Sequence, residues 1–224
     1  MDDAGRSSRA EIFERDGMLR ANADAAAVAE LYRSVRCDLA VGNDCALAGW
    51  AGAPSQPFSH AVRRAPLVRA HLALIAAILY RSAATRSIRD CAGGPFIVAS
   101  ARVFSTPPHA AEDSGLGPLF VPSPPGVVRT ITFLHDLDHT SSPFEMRVHT
   151  QVLTPSTPRG TVIIFDPARV HWKERPPLRG ARVVLDAVCI ARADLPPQVW
   201  ASGMNYWPLD PAAPPPEVPI FLLE

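Results

Sequence analysis

The most constraining stretch is residues 160–190, G-T-V-I-I-F-D-P-A-R-V-H-W-K-E-R-P-P-L-R-G-A-R-V-V-L-D-A-V-C-I. T-V-I-I-F is a β-branched apolar run bounded by Gly160 and Asp166-Pro167, the signature of a buried strand. After the turn a short strand ends at His171. Pro176-Pro177 and Gly180 make a loop, and a long strand starts at Arg182. Strand, turn, short strand, loop, long strand cannot be laid out as a helical bundle.

The same strand period begins near residue 95. F-I-V-A-S-A-R-V-F reads as a strand, followed by Pro107-Pro108-His109 and a long loop to about Gly126. Val127 to Leu134 alternates and is β-branched. Residues 135–143 read as a turn, in which Asp136 and Asp138 bond nearby backbone amides. Phe144 to Leu153 then alternates as one half-buried strand.

Before residue 95 the period is helical. E-I-F-E-R-D-G-M-L-R suggests a short helix stopped by Gly17. Asp24 suits the cap of a helix running to about Arg36, with Val28, Leu31, Tyr32 and Val35 on one face. Residues 37–60 read as loop, anchored by Trp50 and Phe58. Pro66 opens a helix to about Ser82, apolar nearly all round and so buried against a sheet, with His71 packed inside it.

Helices first, then six or more closely spaced strands without βαβ alternation, imply a mainly β fold with flanking helices. A single domain over 1–224 is expected at this length. Residues 1–94 form a mostly helical buttress, 95–192 a β core, and 193–224 a Pro-rich strap.

Composition narrows the function classes. Formal net charge is zero, so bulk charge supports neither a nucleic-acid surface nor a polyanionic partner. The most apolar window, around Leu67 to Tyr80, is short and interrupted by Arg69 and His71, which does not suit a membrane span. Cys37, Cys45, Cys91 and Cys189 make no C-x-x-C pair. The N-terminal run lacks an apolar h-region, and the expectation is a cytoplasmic protein with reduced thiols. The 24 prolines, about twice the usual ~5%, imply rigid loops between short strands. No phosphate loop, nucleophile elbow or Cys–His–Asp arrangement is evident.

Seven histidines remain, and a mononuclear non-haem iron site needs two neutral imidazoles and usually a carboxylate on one face of the metal. His171 and His109 each stand where a strand meets a loop, far apart in sequence, as barrel ligands do.

Residues 160–190 resemble the C-terminal half of the double-stranded β-helix of Fe(II)/2-oxoglutarate-dependent oxygenases, in the prolyl-hydroxylase-like and phytanoyl-CoA-dioxygenase-like branches. The pattern is Gly, an apolar strand ending in Phe, a loop, His, then a basic residue after a Gly. T-F-L-H-D-L-D-H-T-S-S-P-F-E-M-R-V resembles the family's Tyr-Leu-Asn-Asp strand and turn, and F-E-R-D-G-M-L-R-A-N its phytanoyl-type opening. The resemblance covers most of the chain loosely and residues 96–190 best. It implies a jelly-roll, cupin-like barrel buttressed by the N-terminal helices, with Fe(II) and 2-oxoglutarate as cofactors and a small organic substrate. His109 and His171 would then hold the metal, and Arg182, with Arg179 as alternative, the far carboxylate of 2-oxoglutarate. His135 and Arg129 would line the substrate side.

One departure stands out. The family writes His-x-Asp or His-x-Glu at the first ligand, whereas His109 is followed by Ala110, Ala111, Glu112 and Asp113. Glu112 or Asp113 can supply the carboxylate. Alternatively Ala111 is its counterpart, as in the family's halogenating members, where a halide takes the vacated position. A degenerate site is the third option. Two readings from other classes stay open: a cupin-like metal enzyme using His135, His139, Glu145 and His171, and a metal-free β-barrel that binds a ligand or partner.

Overall fold

The computed structural model describes residues 3–40, 63–65, 69–106, 126–136, 144–148, 151–153, 158–174 and 180–191. The expectations for Trp50, Phe58 and the C-terminal strap lie outside these residues. The helices are α1 (Asp3–Asp16), α2 (Ala25–Ala40), α3 (Arg69–Tyr80) and α4 (Ala83–Ala92). The strands are β1 (Met18–Asn22), β2 (Arg63–Ala65), β3 (Phe96–Thr106), β4 (Val127–Phe133), β5 (Phe144–Val148), β6 (Gln151–Leu153), β7 (Thr161–Phe165), β8 (Val170–Glu174) and β9 (Arg182–Ala191).

The strands form an antiparallel sheet in the order β1-β7-β4-β9-β3-β2 and a smaller one in the order β6-β5-β8. The chain passes from large sheet to small and back along β7, β8 and β9. That passage between two sheets is the jelly-roll layout, and the mainly β fold with helical buttress is as expected.

Alternation sorts the large sheet into two faces. Val183, Leu185, Ala187 and Cys189 of β9 pack with Val28, Leu31 and Val35 of α2 and Ile75, Ile78 and Leu79 of α3. Burying each large aliphatic side chain contributes about 1.5–3 kcal/mol. The opposite face carries Val184, Phe133, Ile131, Ile163 and Phe165, and Val170 of β8 packs into this second cluster. Both faces of β4 are therefore covered, and all seven of its residues are buried, Thr130, Thr132 and Arg129 included.

Local chemistry explains the element ends. Asp24 caps α2 by accepting from the Ala27 amide at 2.7 Å, as its position implied. The helix runs four residues past Arg36. Gly17 closes α1 with φ +69, and a Cβ there would sit 3.1 Å from Val170 Cγ2. Both facts favour glycine.

The first helix stops at Gly17 as expected, and Met18–Asn22 beyond it is an edge strand paired with β7. Three expectations need correction. The helix expected to reach Ser82 ends at Tyr80, because Ser82 is the N-cap of α4: its hydroxyl accepts from the Ala84 amide while Thr85 Oγ1 accepts from the Ser82 amide. Phe144 to Leu153 is a hairpin rather than one strand, since Val148 pairs with Gln151 and Met146 with Leu153. His171 lies near the start of its strand, not at its end.

Candidate active site

β9 positions the charged groups of the inner face. Its residues Arg182, Val184 and Asp186 share that face. In register, Thr106 of β3 lies opposite Arg182, Phe104 opposite Val184 and Arg102 opposite Asp186. On the other side, β4 sets Phe133 opposite Val184 and Ile131 opposite Asp186. The interior is thus layered: Arg182 first, then an apolar belt of Phe104, Val184 and Phe133, then charge again.

Among the described residues Arg182 is the largest side chain buried beyond solvent reach, at 0% exposure. Gly180, at φ +65, makes the turn that admits the chain to β9. A guanidinium cannot be neutralised by losing its proton, so a site built around a buried one suits a planar anion such as a carboxylate.

The second charged layer is an Arg–Asp–Arg cluster. Arg129 meets Asp186 with both ends of its fork, Nε to Oδ1 and Nη2 to Oδ2, each at 2.6 Å. Arg102 Nε donates to Oδ2 at 2.5 Å, and its guanidinium lies 5.7 Å from the Phe104 ring centre. Burial alone would raise the Asp186 carboxyl, but the two guanidinium charges and their hydrogen bonds outweigh it and hold the pKa at about 2. Sequence reading missed Arg102 and Asp186. The available signal was one charge in the middle of each otherwise apolar strand.

His135 stands just beyond β4. Its Nε2 accepts from the Val183 amide at 3.1 Å, and Nδ1 lies 3.1 Å from the Asp136 carbonyl oxygen. Its ring stacks on Tyr32 of α2, centroids 5.3 Å apart. Burial lowers its pKa, and the nearby Arg182 charge pushes the same way against the Asp136 and Ala181 carbonyls. Both ring nitrogens are thereby committed to backbone, an arrangement that leaves neither facing a metal as a cupin-like site would require. Asp136 bonds the distant Arg159 amide at 2.9 Å, so it ties its turn to the entrance of β7 rather than to its own neighbours.

Of the other expected site residues, His171 is the second residue of β8, opposite Arg147, and Glu145 lies opposite Lys173. His109, Ala111, Glu112, Asp113, His139 and Arg179 lie outside the described residues. Thr106, the last residue of β3, lies directly opposite Arg182. Among the described residues no three His, Cys, Asp or Glu side chains form a metal-binding group. No helix there is long and apolar enough to cross a membrane.

No protein-family model matches the chain, and no curated protein matches it in sequence. Solved structures share its fold. The epimerase SnoN, in complex with Fe3+, alpha ketoglutarate and nogalamycin RO, is 15% identical, with 84% of each chain covered and a TM-score of 0.56. EctD from S. alaskensis, with 2-oxoglutarate and 5-hydroxyectoine, is 16% identical over 84% of this chain and 76% of that one, TM-score 0.57. AviO1 from Streptomyces viridochromogenes Tue57 is 15% identical over 85% and 97%, TM-score 0.56. At these identities the likeness establishes the jelly-roll fold.

Proposed function

We propose that this chain is an Fe(II)- and 2-oxoglutarate-dependent oxygenase that hydroxylates a small organic substrate. The observation that carries the proposal is Arg182: a fully buried guanidinium on the inner face of β9, opposite the strand end that leads to His109. Two structures of the same fold contain 2-oxoglutarate or alpha ketoglutarate, and one of these contains iron.

In this reading Arg182 pairs with the far carboxylate of 2-oxoglutarate, where its planar fork gives two parallel charge-assisted hydrogen bonds. His109 and His171 hold the metal, with Glu112 or Asp113 as the carboxylate ligand. When bound, the iron and its cosubstrate supply the oxidising chemistry, coupling dioxygen reduction and decarboxylation to oxidation of a substrate C–H bond. The apolar belt of Phe104, Val184 and Phe133 closes the barrel beneath Arg182 and keeps water from the ion pair, strengthening it. Ala111, two residues after His109, favours a second outcome in which a halide takes the carboxylate's position and the substrate is halogenated.

Anaerobic titration with Fe(II) and 2-oxoglutarate tests the proposal. A weak visible charge-transfer band is expected, and its absence would count decisively against the function. Arg182→Ala is expected to weaken 2-oxoglutarate binding about 10²-fold or more, the loss of a charge-assisted pair from a buried site. Unchanged affinity would remove Arg182 from its role. Glu112→Ala and Asp113→Ala, assayed with and without chloride, separate the hydroxylating from the halogenating outcome.

A further inference from the structure

Val183 follows the proposed anchor directly, and its main chain is held in an unusual way. Within a strand a residue's N–H and C=O point to the same side. The Val183 carbonyl accepts from the Leu134 amide at 3.1 Å, so its N–H also faces β4. The partner waiting there is not a main-chain carbonyl but the Nε2 atom of His135. The imidazole ring takes the place of the next rung in the β4–β9 ladder. Tyr32 stacks on the ring from α2, and the Asp136 carbonyl meets its other nitrogen.

We infer that His135 is a positioning residue: as the neutral Nδ1–H tautomer it holds the entrance of β9 through Val183, and so fixes where Arg182 presents its guanidinium to 2-oxoglutarate. The last clause rests on the function proposed above; the tautomer and its contact with Val183 do not.

The chemistry allows only one protonation state for this task. Nε2 can accept from Val183 only with its lone pair free, so Nδ1 carries the proton and donates to the Asp136 carbonyl. A second proton removes the acceptor and sets a cation beside Arg182. The charged or titratable groups facing the ring are Arg182 from β9, Tyr32 from α2 and Asp136 on its own turn, whose carboxylate is engaged by the Arg159 amide. Burial, with a smaller push from Arg182, outweighs the Asp136 and Ala181 carbonyls and the Asp136 carboxylate, which favour the charged ring, so the neutral form persists below the ordinary value of 6.5. Because the folded-state pKa is depressed, the contact is complete above pH 6.5 and is lost as pH falls through the lowered value.

Two measurements on the intact chain test this. In the first, ¹⁵N-edited NMR reads the His135 ring nitrogens and the Val183 amide without any ligand. An Nδ1–H tautomer whose acid titration carries the Val183 amide shift with it is expected. An Nε2–H tautomer, or a Val183 amide indifferent to the titration, overturns the inference. In the second, anaerobic calorimetry measures 2-oxoglutarate affinity in the presence of Ni(II). His135→Leu is expected to weaken it about tenfold, the usual scale for losing a group that orients a ligand-binding residue. His135→Gln, whose amide oxygen can reach the Val183 N–H, is expected to restore affinity and to make its decline at low pH shallower than the parent's, the remainder belonging to protonation of the metal-binding histidines. Should His135→Leu not fold, the parent's pH profile against that of His135→Gln decides the matter. Equal affinities and equal profiles overturn the positioning role. A parent that shows the NMR contact but binds no 2-oxoglutarate overturns the proposed function and, with it, the cosubstrate clause.

Discussion

At the scale of single residues, charge inside the barrel decides most. Asp186 is shared by two guanidinia in a layer closed above and below by apolar side chains. Removing one member of a buried ion cluster is worse than removing all of it, because what remains is an uncompensated charge. Asp186→Asn is therefore expected to cost on the order of 3–5 kcal/mol in chemical denaturation. Joint replacement of Arg102, Arg129 and Asp186 by apolar residues of similar volume should cost less. If the triple variant proves the weaker, the cluster is a net source of stability rather than a specifier of the barrel interior. The acid limb follows from the same group. Its folded-state pKa lies below the ordinary 3.8, so the unfolded chain takes up the proton first. Its contribution is complete above pH 3.8 and lost as pH falls through about 2. Unfolding midpoints across that window should decline less steeply in Asp186→Asn than in the parent.

At the scale of elements, Tyr80 bonds the α3–α4 buttress to the sheet while Ser82 joins the two helices. The Tyr80 hydroxyl accepts from the Val98 amide at 2.7 Å, where β3 shifts register between Val98 and Ser100, and its ring stacks on Phe96. Tyr80→Phe keeps the stacking and leaves a half-buried amide without its acceptor, at an expected cost of about 1–3 kcal/mol in urea unfolding. Ser82→Ala removes the α4 cap and should cost about 1 kcal/mol. If Tyr80→Phe is neutral, the ring alone makes the junction. These elements also mark where sequence reading reached its limit. Long segments with large apolar residues were legible: α2 from its cap and its Val28–Leu31–Val35 face, and β3, β4, β7 and β9 from β-branched runs. α4 was not, because its buried stripe is Ala84, Ser87, Ile88 and Ala92, mostly small residues that carry little hydrophobic signal. β1 is a five-residue edge strand that leaves Arg20 and Asn22 exposed, so its pattern hardly differs from a loop. The β5–β6 reversal hides in an alternating run because strand alternation reads the same in both paired strands.

At the scale of the whole molecule, what was legible of the candidate site was its local half. His171 and Arg182 lie close together in sequence, and spacing and residue type are what nominate them as candidates. The rest depends on pairings between distant segments. β3 and β9 meet across some eighty residues of chain, setting Thr106 opposite Arg182 and Arg102 against Asp186, and nothing local encodes that register. The Val183–His135 contact is of the same kind, joining segments 48 residues apart. This topology leads to a prediction about stability. Arg182 belongs to the large sheet and His171 to the small one, so in the proposed function a bound metal and 2-oxoglutarate tie the two sheets together. A ligand that binds only the folded chain stabilises it by RT ln(1 + [L]/Kd), about 2.7 kcal/mol at a hundredfold excess over Kd. Ni(II) with 2-oxoglutarate should therefore raise the thermal midpoint by several degrees, and by more than the two separate increments combined, because each completes the other's coordination. In Arg182→Gln the metal increment should survive and the 2-oxoglutarate increment should vanish. Asp186→Asn should start from a lower midpoint yet retain both increments, since the apolar belt of Phe104, Val184 and Phe133 separates its layer from the Arg182 layer. Loss of the 2-oxoglutarate increment in both variants would mean that the two charged layers form one site.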